Sequence, residues 1–303
     1  MTLFAKYMTK FNNKSLTLAY IGIIFSELFW AASFIFTKEA LSHYSPFSVV
    51  VMRITIATLI LFLFCGIRHE LDRPTRKEWL LFTIAGIFQP FIYFILEAYG
   101  LQITQNPNTT SLVLALGPLL SPFIAWLLIR EHVTIYTFIG LFVSTTGIAI
   151  IVLIGQNLNF NPLGVTLLGL AAITTVLYCI CLRKIDARFK PATIVFYIDL
   201  TSLMFFIPTW LIFDHSRNII TPSFTPLVSI FILAVFCSVV SYIFFCNAVR
   251  FIGVARANAF SNLIPALTPL CVWALDGEMI SWNDYLGIFI VILGLFISQR
   301  KYT

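Results

Sequence analysis

Two prolines, a tryptophan and a glutamate recur in the same order at two places in the chain. Residues 118–131 read PLLSPFIAWLLIRE, and residues 265–278 read PALTPLCVWALDGE. The two stretches align without gaps at a spacing of 147 residues. The same spacing also matches two pairs of glycines, Gly140 with Gly287 and Gly147 with Gly294. Chance easily aligns apolar residues of two membrane segments, but it rarely aligns prolines, a tryptophan, a glutamate and glycines together. The chain therefore contains an internal repeat.

The sequence around this repeat is strongly apolar. Hydrophobic residues make up 59% of the 303 residues and charged residues only 11%, whereas charged residues make up about one quarter of a soluble domain. Such a surface is stable only against lipid, so we expect a protein of the lipid bilayer. Ten apolar runs have about the length that crosses a bilayer, at residues 17–37, 46–66, 79–99, 107–129, 134–154, 162–182, 193–213, 226–248, 257–275 and 283–299.

The basic residues lie between these runs and alternate in number. If the N-terminus is cytoplasmic, 16 of the 19 Lys and Arg residues lie in cytoplasmic segments, Lys38 and Arg217 lie outside, and Arg53 lies within a run. Basic residues favour the cytoplasmic side, so we expect a multi-pass protein of the inner (plasma) membrane with both termini in the cytoplasm. Because the positive charges are not clustered on one folded face, the net charge of +6 does not indicate a nucleic-acid partner.

The repeat predicts how the two halves of the chain are oriented. Its units are residues 1–155, with the first five runs, and residues 156–303, with the last five. An odd number of helices per unit places the two units in opposite orientations across the membrane. We therefore expect an all-α membrane protein of ten transmembrane helices, built as two inverted five-helix repeats around a central cavity. Inverted repeats suit alternating access, because exchanging the conformations of the two units converts an inward-open state into an outward-open one.

Ionisable side chains within the apolar runs indicate a site for a small-molecule solute. They are costly in lipid and normally face the interior of a helix bundle. Glu27 lies in the middle of the first run, and Trp30 follows it on the same helical face. A carboxylate beside a tryptophan ring can hold a cation, and it can also take up a proton, so protons are the expected coupling ion, with simple exchange as the alternative.

The expected substrate-binding group combines Glu27 and Trp30 with residues from other helices. Asn262 is preferred to Asn258, one turn earlier, because it lies next to Pro265. For each member, a structural contact between helices is the alternative. The other members are Tyr93, Glu97, Tyr178 and Tyr242.

A second group of residues is expected to act in structure or gating. Arg53 and Asp199 lie at matching depths of the second and seventh runs, and we favour a structural or gating pair over direct contact with a solute. Four repeated prolines are expected to bend the fourth and ninth helices at equivalent places and to let each half flex, with plain packing kinks as the alternative. They are Pro118, Pro122, Pro265 and Pro269.

The sequence carries no pattern of catalytic or cofactor-dependent chemistry. The P-loop G-x-x-x-x-G-K-[ST], the zinc-protease H-E-x-x-H and the hydrolase G-x-S-x-G patterns do not occur. The six cysteines lack the spacing of a zinc site. We therefore expect no catalytic residues, no metal and no cofactor. An integral membrane enzyme acting on lipid and a non-transporting membrane scaffold are the alternatives to a transporter.

Several of these segments resemble one known family. Residues 30–38 read WAASFIFTK and resemble the first-helix signature of the EamA-like family of the drug/metabolite transporter superfamily, and Arg53 lies where that family often has an arginine. The pattern of its ninth and tenth helices is similar to residues 262–269, Gly277, Glu278, Gly287 and Gly294. The resemblance implies ten helices around a central cavity and the export or exchange of amino acids or related metabolites. Glu27 departs from the family pattern, which has a small or apolar residue there.

Overall fold

The computed structural model describes residues 13–104, 107–131, 133–153, 161–214, 223–277 and 280–300. Within these ranges all regular structure is helical, and no strand occurs. A helix satisfies its own backbone hydrogen bonds, which lipid cannot do, so this class is what so apolar a chain requires. Of the residues named above, Arg217 and Glu278 lie outside the described ranges.

Ten helical segments in the described ranges follow the ten predicted runs. The first half contains α1 (Asn13–Leu41), α2 (Pro46–Ile67), α3 (Arg76–Thr104), α4a (Pro107–Leu114), α4b (Leu116–Ile129) and α5 (Ile135–Leu153). The second half contains α6 (Pro162–Lys184), α7 (Pro191–Phe213), α8 (Phe224–Ile252), α9a (Val254–Phe260), α9b (Leu263–Asp276) and α10 (Trp282–Ser298). By length and apolarity, eight of the ten can cross a membrane, whereas α5 and α10 are shorter apolar helices.

Local sequence explains where several helices begin. α2, α6 and α7 each start at a proline, whose fixed φ suits the first helical position and whose missing N–H is not needed there. Ser45 caps α2 by accepting a hydrogen bond from the backbone N–H of Ser48, and Asn161 caps α6 in the same way. The helix starts at Pro46 and Pro191 are 145 residues apart, which gives the repeat spacing for this part of the fold.

Irregular stretches also recur in the two halves. α3 is kinked within Ile87–Ile92, where the backbone of Gln89 is extended, and α8 contains a π-helical segment at Leu233–Val240, about one repeat later. α4 is interrupted between Leu114 and Leu116, and α9 is interrupted between Phe260 and Leu263. Both kinds of irregularity therefore belong to the repeat, although neither is visible as a simple residue match.

The matched glycines lie where α5 crosses α10. A Cβ atom added to Gly140 would lie 2.4 Å from the carbonyl oxygen of Gly294, and one added to Gly147 would lie 2.8 Å from that of Gly287. Small residues at such crossings let two helix backbones approach closely in lipid. Gly140, early in α5, thus meets Gly294, late in α10, and Gly147 meets the earlier Gly287. The two helices therefore run antiparallel.

The same crossing locates the symmetry axis of the repeat. The hydroxyl of Ser144 donates to the carbonyl oxygen of Val291 at 3.2 Å, and Val291 is 147 residues further along the chain. A residue thus contacts its own repeat equivalent, while the glycines around it pair reciprocally. These contacts define a twofold axis that passes between α5 and α10, perpendicular to both.

The outer surface of the bundle is apolar. Two pairs of repeat equivalents, Trp126 with Trp273 and Phe142 with Phe289, are each more than half exposed. Exposed aromatic and aliphatic side chains at this density are stable against lipid and not against water. The apolar surface and the amino-acid composition thus both indicate a membrane protein.

Among the described residues, loops and helix ends contact one another on two faces of the bundle. On one of them, here called the basic face, Lys190 of the α6–α7 loop contacts Glu70 of the α2–α3 loop at 2.8 Å, and Arg188 contacts Glu78 at 2.5 Å. Hydrogen bonds from Lys190 and Arg68 hold the pKa of Glu70 below its usual value. On the other, here called the α1–α2 face, the hydroxyls of Ser45 and Ser48 donate to Asp214 after α7. Each contact joins loops or helix ends that the charge pattern places on the same side.

Candidate functional site

A cavity of about 150 Å³ lies between the two halves of the chain. It extends from Tyr178 on α6 and Ser261 at the break of α9 to Leu41 and Pro46 at the α1–α2 face. A cavity of about this volume holds a molecule the size of benzene in other proteins. It therefore suits a small solute better than a drug-sized one, which needs roughly 300 Å³ or more.

The breaks of α4 and α9 border this cavity at equivalent positions. Leu114 and Ser261 are repeat equivalents, as are Pro118 and Pro265, and all four line the cavity. A proline within a helix lacks the N–H that would bond the carbonyl four residues earlier, so it bends or breaks the helix. The break of α4 lies just before Pro118, and the break of α9 lies just before Pro265. Pro122 and Pro269 lie within α4b and α9b and are not part of the lining.

Arg53 is the one cationic side chain of the described cavity wall. Its Nε donates to the hydroxyl of Ser238 at 2.6 Å, and its guanidinium lies 4.7 Å from the centre of the Phe94 ring. No carboxylate of the described residues lies within 4.0 Å of it. Since a hydroxyl and a ring do not neutralise the charge, the guanidinium can bind an anionic group in the cavity.

Glu97 is the one anionic side chain of the same wall. Its carboxylate accepts a hydrogen bond from the hydroxyl of Tyr93, one helical turn earlier, at 3.1 Å. It forms no ion pair within the described ranges. The cavity thus presents one positive and one negative group, and neither forms an ion pair with a described residue.

Aromatic side chains form much of the remaining wall. The indole N–H of Trp30 donates to the carbonyl oxygen of Cys237 at 2.9 Å, and its ring centre lies 5.2 Å from that of Tyr242. The hydroxyl of Tyr242 accepts from the amide of Gln89 at 2.8 Å, and the Tyr178 ring lies 6.2 Å away. These contacts fix the rings in place, so the aromatic wall is preformed.

Five of the seven residues expected to bind substrate line the cavity, and two do not. The five are Trp30, Tyr93, Glu97, Tyr178 and Tyr242. Glu27 and Asn262 are each 0% exposed and lie outside the lining. Asn258, which shares a helical face with Asn262, takes the lining position instead.

The expected pairing of Arg53 with Asp199 is not formed in this conformation. Asp199 is buried in α7, outside the lining, and its Oδ2 has no hydrogen-bond partner within the described ranges. Arg53 turns toward Ser238 and Phe94 and faces the cavity. Sequence analysis placed the two residues at similar depth, but depth does not determine which way a side chain points.

The basic face is held together by a carboxylate that joins the two halves. Glu131, directly after α4b, accepts hydrogen bonds from the backbone N–H groups of Val254 at 3.1 Å and Ala255 at 3.2 Å. These N–H groups begin α9a and have no partner within their own helix. An anion at a helix N-terminus is favourable, so Glu131 holds the end of α4b against the start of α9a.

We expect Glu131→Ala to lower the free energy of unfolding by about 1–2 kcal/mol, because two N–H groups lose their acceptor. Thermal unfolding of the purified protein measures this loss. Gly253→Ala should act similarly, since its φ is +92° and an added Cβ would lie 2.7 Å from Oε1 of Glu131. Gly66→Ala, where no atom lies within 4 Å of the added Cβ, is the control. Unchanged unfolding of Glu131→Ala would show that this contact contributes nothing.

The fold and the cavity together define a membrane protein of the transporter class, in which a small hollow lies between two repeated helical units. The chain belongs to the EamA-like transporter family, whose family model matches it twice, over residues 17–153 and 162–299. The two matches are the two copies of the internal repeat.

Related proteins carry transporter names. "Uncharacterized transporter YyaM" of Bacillus subtilis is 23% identical over 92% of this chain and 93% of its own length. A "probable terminal-alkyne amino-acid exporter" of Streptantibioticus cattleyicolor is 21% identical over 92% of this chain and 93% of its own length. A solved crystal structure, 16% identical, superimposes with a TM-score of 0.77 over 95% of this chain and 96% of its own, which shows the same fold.

Proposed function

We propose that this protein is a secondary transporter that exports or exchanges a small zwitterionic solute of the amino-acid class by alternating access. The observation that carries the proposal is the pair of oppositely charged side chains, Arg53 and Glu97, which line one cavity and form no ion pair within the described ranges. Charged residues at membrane depth are costly and mark solute pathways when they face a cavity. A solute with both a carboxylate and an ammonium group satisfies both of them at once.

The remaining geometry supports a solute of this kind. The cavity of about 150 Å³ fits a small metabolite. α4b and α9b begin at the cavity, and the N-terminal end of a broken helix favours an anionic group such as a carboxylate. Trp30 and Tyr242 offer ring faces that attract an ammonium group. The name of the exporter in Streptantibioticus cattleyicolor points to the same solute class.

We infer further that the ten helical segments all cross the inner (plasma) membrane and that the basic face is cytoplasmic. The twofold axis between α5 and α10 lies perpendicular to those helices, and hence in the membrane plane if they cross it, which makes the two halves inverted. Basic residues favour the cytoplasmic side. The cavity, which reaches the α1–α2 face, is then open to the outside in this conformation, and the contacts of Glu131 close the inside.

Counterflow in proteoliposomes tests the proposed function. Vesicles containing the purified protein are loaded with unlabelled leucine, and entry of radiolabelled leucine is measured against protein-free vesicles. Two matched analogues separate the charges: 3-methylbutylamine lacks the carboxylate, and 4-methylpentanoate lacks the ammonium group. We expect leucine to compete at least about tenfold better than either analogue, since each lost charged contact costs about 1.5–3 kcal/mol. The proposal fails if a panel of the common amino acids gives no counterflow.

The selectivity of Glu97→Gln provides a second test of the site. This variant keeps the oxygen that accepts from Tyr93 but loses the negative charge. We expect the KM for leucine to rise about tenfold or more, and we expect competition by 4-methylpentanoate to stay within about twofold of wild type. Equal weakening of both compounds would mean that Glu97 acts on the shape of the cavity and not on an ammonium group. Unchanged thermal unfolding checks that the variant is folded.

A further inference from the structure

Glu27 is a buried carboxyl group just beyond the closed end of the cavity. Five residues of α1 line the cavity: Trp30, Ser33, Phe34, Thr37 and Leu41. Glu27 precedes Trp30 by three positions, so it continues the same helical face into the closed part of the bundle. Its side chain is 0% exposed. The position is therefore on the line of the cavity but sealed from it in this conformation.

No positive charge offsets Glu27 within the described ranges. Its Oε1 accepts from the hydroxyl of Ser261 at 3.4 Å, and its Oε2 has no hydrogen-bond partner. α1 packs against α2, α8 and α9. None of the arginines on these helices forms an ion pair with Glu27: they are Arg53, Arg250 and Arg256.

Two of these arginines, Arg53 and Arg250, donate hydrogen bonds to groups other than Glu27. Arg53 donates to Ser238, and Arg250 donates to the carbonyl oxygen of Phe189 at 2.6 Å. The titratable groups on the buried faces of α6 and α8 are thiols and phenols, which are ordinarily neutral at pH 7. They are Tyr178, Cys179, Cys181, Cys237, Tyr242 and Cys246. An ionised carboxylate without a counter-charge is very costly to bury, so Glu27 carries a proton in this conformation.

α6, the repeat equivalent of α1, indicates which residues of α1 line the cavity in the opposite state. The spacing of 145 residues between the starts of α2 and α7 also relates α1 to α6. Three residues of α6 line the cavity. At this spacing Ala172 corresponds to Glu27, Thr175 to Trp30 and Tyr178 to Ser33, and these three residues of α1 lie along one helical face. When inverted repeats exchange conformations, each half takes the lining pattern of the other. Glu27 then becomes a lining residue of the cavity that opens toward the basic face.

We propose that Glu27 is a proton-binding site, sealed in this conformation and exposed to the cavity in the opposite one, so that solute movement is coupled to a proton. Ser261 links the two compartments, because its hydroxyl bonds Glu27 while the residue itself lines the present cavity. In the opposite state the O–H bond of Glu27 breaks or re-forms directly with water of the cavity. In this state the proton passes between Glu27 and the water of the present cavity through the Ser261 hydroxyl, which gives up one proton and takes up another. One proton therefore crosses the membrane per turn. This inference rests on the proposed transport function.

Infrared spectroscopy of the purified full-length protein tests the protonation without any solute. We expect a carbonyl band of a protonated carboxylic acid at pH 7 that is absent from Glu27→Gln. Asp199→Asn is the matched control, since Asp199 is also buried with an unpartnered oxygen but lies outside the cavity. The band assigned to Glu27 should persist in that variant. If the Glu27→Gln spectrum kept every carboxylic-acid band of the wild type, the inference would be overturned, because the Glu27 carboxyl group would then be ionised in the wild type.

Proton movement in proteoliposomes tests the coupling. With a pH-sensitive dye inside the vesicles, an imposed leucine gradient should move protons in the wild type, and Glu27→Gln should reduce that movement at least tenfold. Thermal unfolding confirms that each variant is folded. Two results would overturn the inference and leave the proposed function standing. One is wild-type counterflow without proton movement, and the other is proton movement that persists in Glu27→Gln. Absence of counterflow in the wild type would instead overturn the proposed function.

Discussion

Arg53→Ala should raise the KM for leucine about 10- to 100-fold, because a charge-assisted hydrogen bond to a carboxylate contributes about 1.5–3 kcal/mol. Arg53 lines the cavity, its neighbours Ser238 and Phe94 are uncharged, and it forms no ion pair within the described ranges. Competition by 3-methylbutylamine, which has no carboxylate, should change by less than about threefold. This difference between the two solutes is the signature of direct binding, since a general distortion of the cavity would weaken both. Counterflow of labelled leucine over a concentration series measures the effect.

Arg53→Lys is the matched variant for the same prediction. Lysine keeps the charge but presents a single ammonium group in place of a planar fork of donors, so it cannot bond a carboxylate in a bidentate manner. We expect leucine affinity between those of the wild type and Arg53→Ala. Thermal unfolding of both variants separates lost binding from lost folding. If leucine and the amine weakened equally in Arg53→Ala, the residue would hold α2 against α8 through Ser238 and would not bind the solute.

The fold was largely predictable because the signals that determine it are local and repeated. Length and apolarity of the runs place the helices, and prolines such as Pro46 and Pro162 give their first residues. The glycines matched at a spacing of 147 residues predicted that α5 and α10 are equivalent. Their contact in the folded protein could not be predicted in this way, because a repeat gives equivalence and not adjacency.

The candidate site was predictable in composition more than in detail. Polar and aromatic residues inside apolar runs identified Trp30, Glu97 and Tyr242 as residues that face the cavity, because charge and hydroxyl groups avoid lipid. The same rule selected Glu27, which avoids lipid by burial in protein. Periodicity identifies the inward face of a helix, but the length over which that face is open depends on the conformation of the whole transporter.

Gln89 shows what sequence analysis missed. Its amide donates to Tyr242 and it lines the cavity, yet it was not selected. It lies at the kink of α3 next to Pro90, where its own backbone is extended and the helix is interrupted. A polar residue beside a proline inside an apolar run was the available signal, since a proline within a helix interrupts it and changes which residues face inward.

Gly140→Ala and Gly294→Ala should each lower the free energy of unfolding by about 1–3 kcal/mol, the usual cost of overpacking. A Cβ at Gly140 would lie 2.3 Å from the backbone nitrogen of Ser298, and one at Gly294 would lie 2.4 Å from that of Ser144. The obstructing atoms are backbone atoms, so no side-chain rotation relieves the clash and the two helices must separate. The double variant should lose less than the sum, because a single separation relieves both clashes.

Two other glycines of the same chain provide the control for this prediction. An added Cβ at Gly66 in α2 or at Gly169 in α6 meets no atom within 4 Å. Replacement by alanine there should leave stability unchanged or raise it by up to about 1 kcal/mol, since alanine favours a helix more than glycine does. Melting temperatures of the four single variants in detergent measure the contrast. If Gly140→Ala and Gly294→Ala melted like the controls, the close contact of α5 with α10 would not exist in the folded protein. The twofold axis that passes between those helices would then lose its support, and so would the exchange of conformations between the two halves.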